Sequence, residues 1–138
     1  MEETLLDRCQ ALRDLTAAER RALLSLGREV SFAEGERIIE EGSPGTCFFV
    51  IAEGSAKVYK GTVPTGRPLR RLGPGEFFGE IAVLDGMPRS ATVVADGDVT
   101  VLRLTRSAFV KLLKRESTVA LRIIEGLGAR LRRGAATE

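Results

Sequence analysis

The side chains best placed for chemistry in this chain are a carboxylate and a guanidinium nine positions apart, Glu80 and Arg89. They lie in the stretch Phe77 to Val94, Phe-Phe-Gly-Glu-Ile-Ala-Val-Leu-Asp-Gly-Met-Pro-Arg-Ser-Ala-Thr-Val-Val. Gly79 lets the backbone approach a ligand closely, and Glu80-Ile81-Ala82-Val83-Leu84 predicts a short turn of helix. The first N–H groups of such a turn have no partner inside the helix and carry the positive end of its dipole, which suits a phosphate. Gly86-Met87-Pro88 reads as a turn that sets where a strand from Arg89 to Ala95 begins. If that turn carries the guanidinium over the open helix end, amides and arginine meet one anion from two sides, each charge-assisted bond worth roughly 1.5–3 kcal/mol. Glu80 must then point away from the anion, toward a donor such as a sugar hydroxyl. In the plainer alternative, Glu80 and Arg89 form a buried ion pair joining two turns, and Gly79 and Gly86 are corner glycines.

The elements that would position these residues change character along the chain. Residues 4 to 26 predict helix in one or two pieces: Leu5, Leu6, Cys9 and Leu12 recur at helical spacing, and Thr16-Ala17-Ala18-Glu19 is a capping box leading to Leu23, Leu24, Leu26 and Gly27. From Glu29 to Leu104 short alternating runs are punctuated by glycine, which predicts eight or so antiparallel strands in a roll or barrel. The strand segments are Arg28 to Phe32, Arg37 to Glu40, Cys47 to Ala52, Ser55 to Lys60, Arg67 to Leu72, Arg89 to Ala95 and Val99 to Leu104. Cys47-Phe48-Phe49-Val50-Ile51 is nearly continuous in apolar residues, as for a strand covered on both faces. Thr105 or Ser107 can cap a helix from Ala108 to Arg115. Ser117 then precedes a second helix to Arg133, with Ala120, Ile123, Ile124, Leu127 and Leu131 as its apolar stripe.

Composition removes several function classes. The 138 residues, 43% hydrophobic, fit one domain, and 21 basic against 19 acidic residues give a net charge of +2, no broad case for nucleic acid or membrane. There is no histidine, so neither a histidine-dependent triad nor a histidine-ligated metal centre is expected, and catalysis of the metal-dependent β-roll type is disfavoured. Cys9 and Cys47 are too few for a four-thiolate cluster and read as buried free thiols. With no leader or spanning apolar run in view, the expected location is the cytoplasm.

Phe-Gly-Glu-Ile-Ala-x-Leu followed by Pro-Arg-Ser-Ala-Thr-Val closely resembles the phosphate-binding cassette of cyclic nucleotide-binding domains, the type found in bacterial catabolite activators and in protein kinase regulatory subunits. The resemblance implies that Arg89 binds the cyclic phosphate and that Glu80 takes the ribose 2'-hydroxyl. It also implies that Gly79 and the amides of Ile81, Ala82 and Ala91 complete the cradle, and that Ser90 helps hold the phosphate. Glu34-Gly35-Glu36 and Glu53-Gly54-Ser55 match turns of the same family, extending the resemblance to residues 28 to 133. It implies a mainly β fold, an eight-stranded antiparallel β-roll of jelly-roll (double-stranded β-helix) type. N-terminal helices (1–27) precede the roll (28–104, with the cassette at 77–94), and C-terminal helices (105–133) follow it. Leu72, Val83 and Val93 are the expected apolar walls for the base, although core packing would account for them equally.

The function implied is a non-enzymatic regulatory domain that binds cyclic AMP, ahead of cyclic GMP, uses no cofactor or metal, and converts occupancy into movement of its C-terminal helices. A homodimer through the last helix and an effector protein of unknown identity are the partners implied. The chain stops at Glu138, before any recognition helix of the bacterial regulators, and Gly134 and Ala135 stand where relatives place hydroxyl side chains against the base. A fold retained for structure or protein contact without ligand, or the sensor fragment of a longer transcription regulator, are the alternatives.

Overall fold

The architecture follows from two glycines that let two long strands bend together. The computed structural model describes residues 16–79 and 86–132. In chain order its elements are α1 (Ala17–Leu26), β1 (Arg28–Phe32), β2 (Arg37–Ile39), β3 (Cys47–Tyr59), β4 (Arg70–Leu72), β5 (Phe77–Phe78), β6 (Thr92–Thr105), α2 (Arg106–Arg115) and α3 (Ser117–Arg132). Strands β3 and β6 run antiparallel over their whole length, from Cys47 opposite Thr105 to Tyr59 opposite Thr92. The register shifts between Ile51 and Ser55, where Gly54 has φ 87°. A Cβ at Gly54 would stand 2.4 Å from the Asp98 carbonyl oxygen, so no side chain fits where the strands fold over each other. The remaining strands attach antiparallel to this bent pair: β1 and β2 to opposite ends of β6, β4 and β5 to opposite ends of β3.

Seven segments are named among the eight or so strands expected, and six strands are found among the described residues, because two pairs of segments are continuous and β5 was not among those named. Cys47 to Ala52 and Ser55 to Lys60 are one strand, β3. The segments Arg89 to Ala95 and Val99 to Leu104 are likewise one strand, β6, which passes through Gly97 and begins only at Thr92. Glycine at positive φ bends these strands without ending their ladders. The mainly β, antiparallel roll with flanking helices stands.

Strand alternation builds two cores. Phe48, Val50, Leu102 and Leu104 face the helices and pack with Ala22, Leu23, Phe109, Leu112, Val119 and Ile123. Their neighbours Phe49, Ile51, Val99 and Val101 face the roll interior with Ala56, Val58, Leu72, Phe78, Ala91, Val93 and Ala95. The apolar run at Cys47 to Ile51 is thus covered on both faces. Helix α1 starts with the expected capping box: Thr16 Oγ1 accepts from the Glu19 N–H at 3.1 Å and Glu19 Oε1 accepts from the Thr16 N–H at 2.7 Å. Of the two candidate caps for α2 it is Thr105 that serves, accepting from the Ala108 N–H at 3.1 Å, so the helix begins at Arg106. In α3 the buried phase is Val119 and Ile123, while Ile124, placed by spacing in the apolar stripe, is 63% exposed. Leu5, Leu6, Cys9 and Leu12 lie outside the described residues, as do Gly134 and Ala135.

Candidate functional site

Gly79 follows β5 directly, with φ +86°, a conformation open to glycine at little strain. That turn directs its carbonyl to Arg89, whose Nη1 donates to it at 2.8 Å. The second guanidinium nitrogen, Nη2, donates to the Cys47 carbonyl at 2.5 Å, at the start of β3. Arg89 is only 5% exposed, and its guanidinium carbon lies 5.9 Å from the centroid of the Phe49 ring, which is stacked on Phe78 at 5.0 Å. A buried guanidinium needs acceptors for its N–H groups, and a π face within about 6 Å adds to its stabilisation. The main chain of Arg89 is fixed as well: its N–H donates to Ser43 and its carbonyl accepts from Gly42, both at 2.8 Å.

Ser90 follows. Its Oγ is buried and has no hydrogen-bond partner among the described residues, while its carbonyl accepts from Lys60 Nζ at 3.1 Å. An orphaned hydroxyl beside a buried arginine is uncommon in a relaxed core, where buried polar atoms are paired. Ala91 is fully buried in the roll. An open cleft of about 410 Å3 abuts this corner, lined among others by Ile39, Ser43, Cys47, Phe49, Arg89 and Arg103.

Of the residues singled out in the sequence, the fold brings Gly79 and Arg89 into direct contact and places Ser90 and Ala91 immediately after. Leu72 and Val93 lie in the roll interior, at 0% and 1% exposure. Glu80, Ile81, Ala82 and Val83 lie outside the described residues. Arg89 precedes β6 rather than opening it, and Cys47 is half-buried at the cleft instead of enclosed. Sequence reading missed the Cys47 carbonyl as a partner of Arg89, and it missed the hydrogen bonds that join Glu41, Lys60, Gly61 and Thr92 next to Ser90. The first acts through its backbone, which no side-chain pattern reveals. Thr92 belongs to the quoted motif, and a hydroxyl at the start of a buried strand was the available signal.

Among the described residues no group of three or more His, Cys, Asp and Glu could hold a metal ion, and no helix is long and apolar enough to cross a membrane.

Known proteins resemble this chain in sequence and fold. Residues 29–116 match the cyclic nucleotide-binding domain. A cAMP-dependent protein kinase regulatory subunit of Aspergillus fumigatus is 39% identical over 113 residues, 82% of this chain but 27% of that protein. Among solved structures, the Thermus thermophilus catabolite activator protein superposes with a TM-score of 0.78 at 31% identity, covering 90% of this chain and 59% of that one. The regulatory domain of Toxoplasma gondii PKA, co-crystallised with cAMP, gives 0.67 at 29% identity, covering 88% and 48%. With a family match over most of its length and that degree of identity to a regulatory subunit, the chain belongs to the cyclic nucleotide-binding domain family.

Proposed function

We propose that residues 1–138 act as a single module that binds cyclic AMP, in preference to cyclic GMP, and passes occupancy to α2 and α3. The module is not an enzyme, in keeping with the regulatory subunits and binding domains it resembles. The observation that carries the reading is the Ser90 hydroxyl, buried without a partner beside a guanidinium already fixed on two carbonyls. A cyclic phosphate supplies the acceptor that hydroxyl lacks and the counter-charge that a buried arginine favours. In this reading Gly79 and the amides of Ile81, Ala82 and Ala91 complete the cradle, Glu80 accepts from the ribose 2'-hydroxyl, and Leu72, Val83 and Val93 border the base.

Transmission starts at β5. Phe77 packs with the helix-side cluster, 6.0 Å from the Phe48 ring, and its ring fits against Gly126 of α3. A ligand that draws Gly79 and the following residues toward its phosphate therefore shifts the surface on which α3 rests. The energy for the shift comes from the difference in affinity between the two helix arrangements.

The test is calorimetric titration with cyclic AMP and cyclic GMP side by side, on the wild type and on Arg89→Lys. An ammonium cannot span both carbonyls and a phosphate, so the variant is expected to bind ten- to a hundredfold more weakly, about 1.5–3 kcal/mol. Equal affinity of the variant, or no uptake of either nucleotide by the wild type, refutes the reading. A 2'-deoxy analogue isolates Glu80: undiminished binding removes its assigned role.

A further inference from the structure

Arg89, Ser90 and Ala91 lie outside the β ladder, whose first pair is Tyr59 with Thr92, so something other than the sheet must hold them. The segment Glu41-Gly42-Ser43 does so with two bonds to Arg89 and a third to Thr92, where the ladder begins. The Gly42 N–H donates to the Arg89 carbonyl and the Arg89 N–H to the Ser43 carbonyl, each at 2.8 Å, and the Glu41 N–H donates to Thr92 Oγ1 at 3.0 Å. Thr92 is 0% exposed, and the same hydroxyl donates to the Gly61 carbonyl at 2.6 Å. The circuit then closes on itself. The Gly61 N–H donates to Glu41 Oε1 at 3.0 Å, that oxygen lies 3.4 Å from Lys60 Nζ, and Lys60 Nζ donates to the Ser90 carbonyl at 3.1 Å.

Resting on the reading above, we infer that Thr92, Glu41 and Lys60 are positioning residues for cyclic nucleotide. They hold the Arg89-Ser90 backbone in the conformation that presents guanidinium and hydroxyl to the phosphate. Thr92 is the pivot, since a hydroxyl alone can accept from one chain segment and donate to another through a single atom. Valine, of the same shape, can do neither. Without that pivot the ligand-ready backbone is one conformation among several, and apparent affinity falls by the fraction that remains competent. Glu41 acts more weakly, by orienting Lys60 on Ser90.

Titrations of the whole chain with cyclic AMP, paired with ligand-free melting curves, test this. Thr92→Val is expected to bind roughly tenfold more weakly, the equivalent of one unmade hydrogen bond, and Thr92→Ser to bind as the wild type does even if its melting midpoint drops. Unchanged affinity in Thr92→Val, or equal weakening in the serine and valine variants, overturns the inference while leaving the binding function intact. If the wild type takes up no cyclic nucleotide, the function itself falls, and the inference with it. Should Thr92→Val fail to fold, Glu41→Gln decides. It keeps an acceptor for Gly61 but no charge for Lys60, and its affinity must fall in the wild-type background and not in Lys60→Met. Equal affinity in the wild-type background, or an equal fall in both, refutes the circuit.

Discussion

Gly79→Ala perturbs the candidate site at the atom where backbone and guanidinium meet. An added Cβ would stand 2.7 Å from Arg89 Nη1 and 3.1 Å from the Cys47 carbonyl oxygen, at a residue whose φ is +86°. Two costs follow. Holding alanine in the left-handed region costs about 1–2 kcal/mol. The guanidinium must also retreat and release at least one of its carbonyl bonds, each charge-assisted and worth about 1.5–3 kcal/mol. Their sum, roughly 2.5–5 kcal/mol, corresponds to a fall of about 10–20 °C in the melting midpoint for a domain of this size. Melting curves without ligand measure it directly, and a double-mutant cycle assigns it. In an Arg89→Ala background the displaced group is gone, so Gly79→Ala should cost only the conformational part, about 1–2 kcal/mol. A midpoint within a few degrees of wild type, or the same cost in both backgrounds, refutes the idea that Gly79 is glycine to make room for Arg89.

Gly126→Ala places a Cβ 2.7 Å from the tip of the Phe77 ring. The gain in helix propensity, about 1 kcal/mol, is outweighed by overpacking of about 1–3 kcal/mol. A net loss of stability that Phe77→Leu relieves is expected in denaturant titrations, whereas a simple gain refutes the fit of Phe77 to Gly126. The Gly61 N–H, assisted by Lys60 and opposed by burial, holds the Glu41 carboxyl below its ordinary 4.5. A lowered folded value means that Glu41 stabilises the fold above pH 4.5 and loses this contribution as pH falls through that lower value. Acid unfolding followed by circular dichroism should therefore be shallower below pH 4.5 in Glu41→Gln than in wild type, and superimposable curves refute the assignment.

What was legible in the sequence was whatever side-chain chemistry or period encodes. The capping box at Thr16 and Glu19 and the two-faced apolar strand at Cys47 to Ile51 both have such a code. Glycine punctuation was read as strand ends because glycine serves turns and bends alike, and only the register of β3 against β6 distinguishes them. Ile124 was placed in the buried stripe because neighbours at 123 and 124 both fit a 3.6-residue period. The helix turns Ile123 inward and leaves Ile124 63% exposed. The partners of Arg89 and the circuit through Thr92 were illegible because they run through carbonyl and amide groups that every residue carries.

The short strand β5 explains how one corner can address three parts of the molecule. Successive residues of a strand face opposite sides, so Phe77 enters the cluster shared with α2 and α3, and Phe78 enters the roll interior against Phe49. Gly79 then turns its carbonyl to Arg89. A displacement of this backbone by a ligand cannot be absorbed on one side alone, because Phe78 is 1% exposed in a close-packed interior and Phe77 abuts a helix at a position without a side chain. The roll side is tied by the hydrogen-bonded pairing of β3 with β6, while α3 meets Phe77 through side-chain packing. Under the proposed function, motion imposed at Gly79 passes outward through Phe77 to α3. For that transfer the absence of a side chain at Gly126 matters as much as the ring that fills the space.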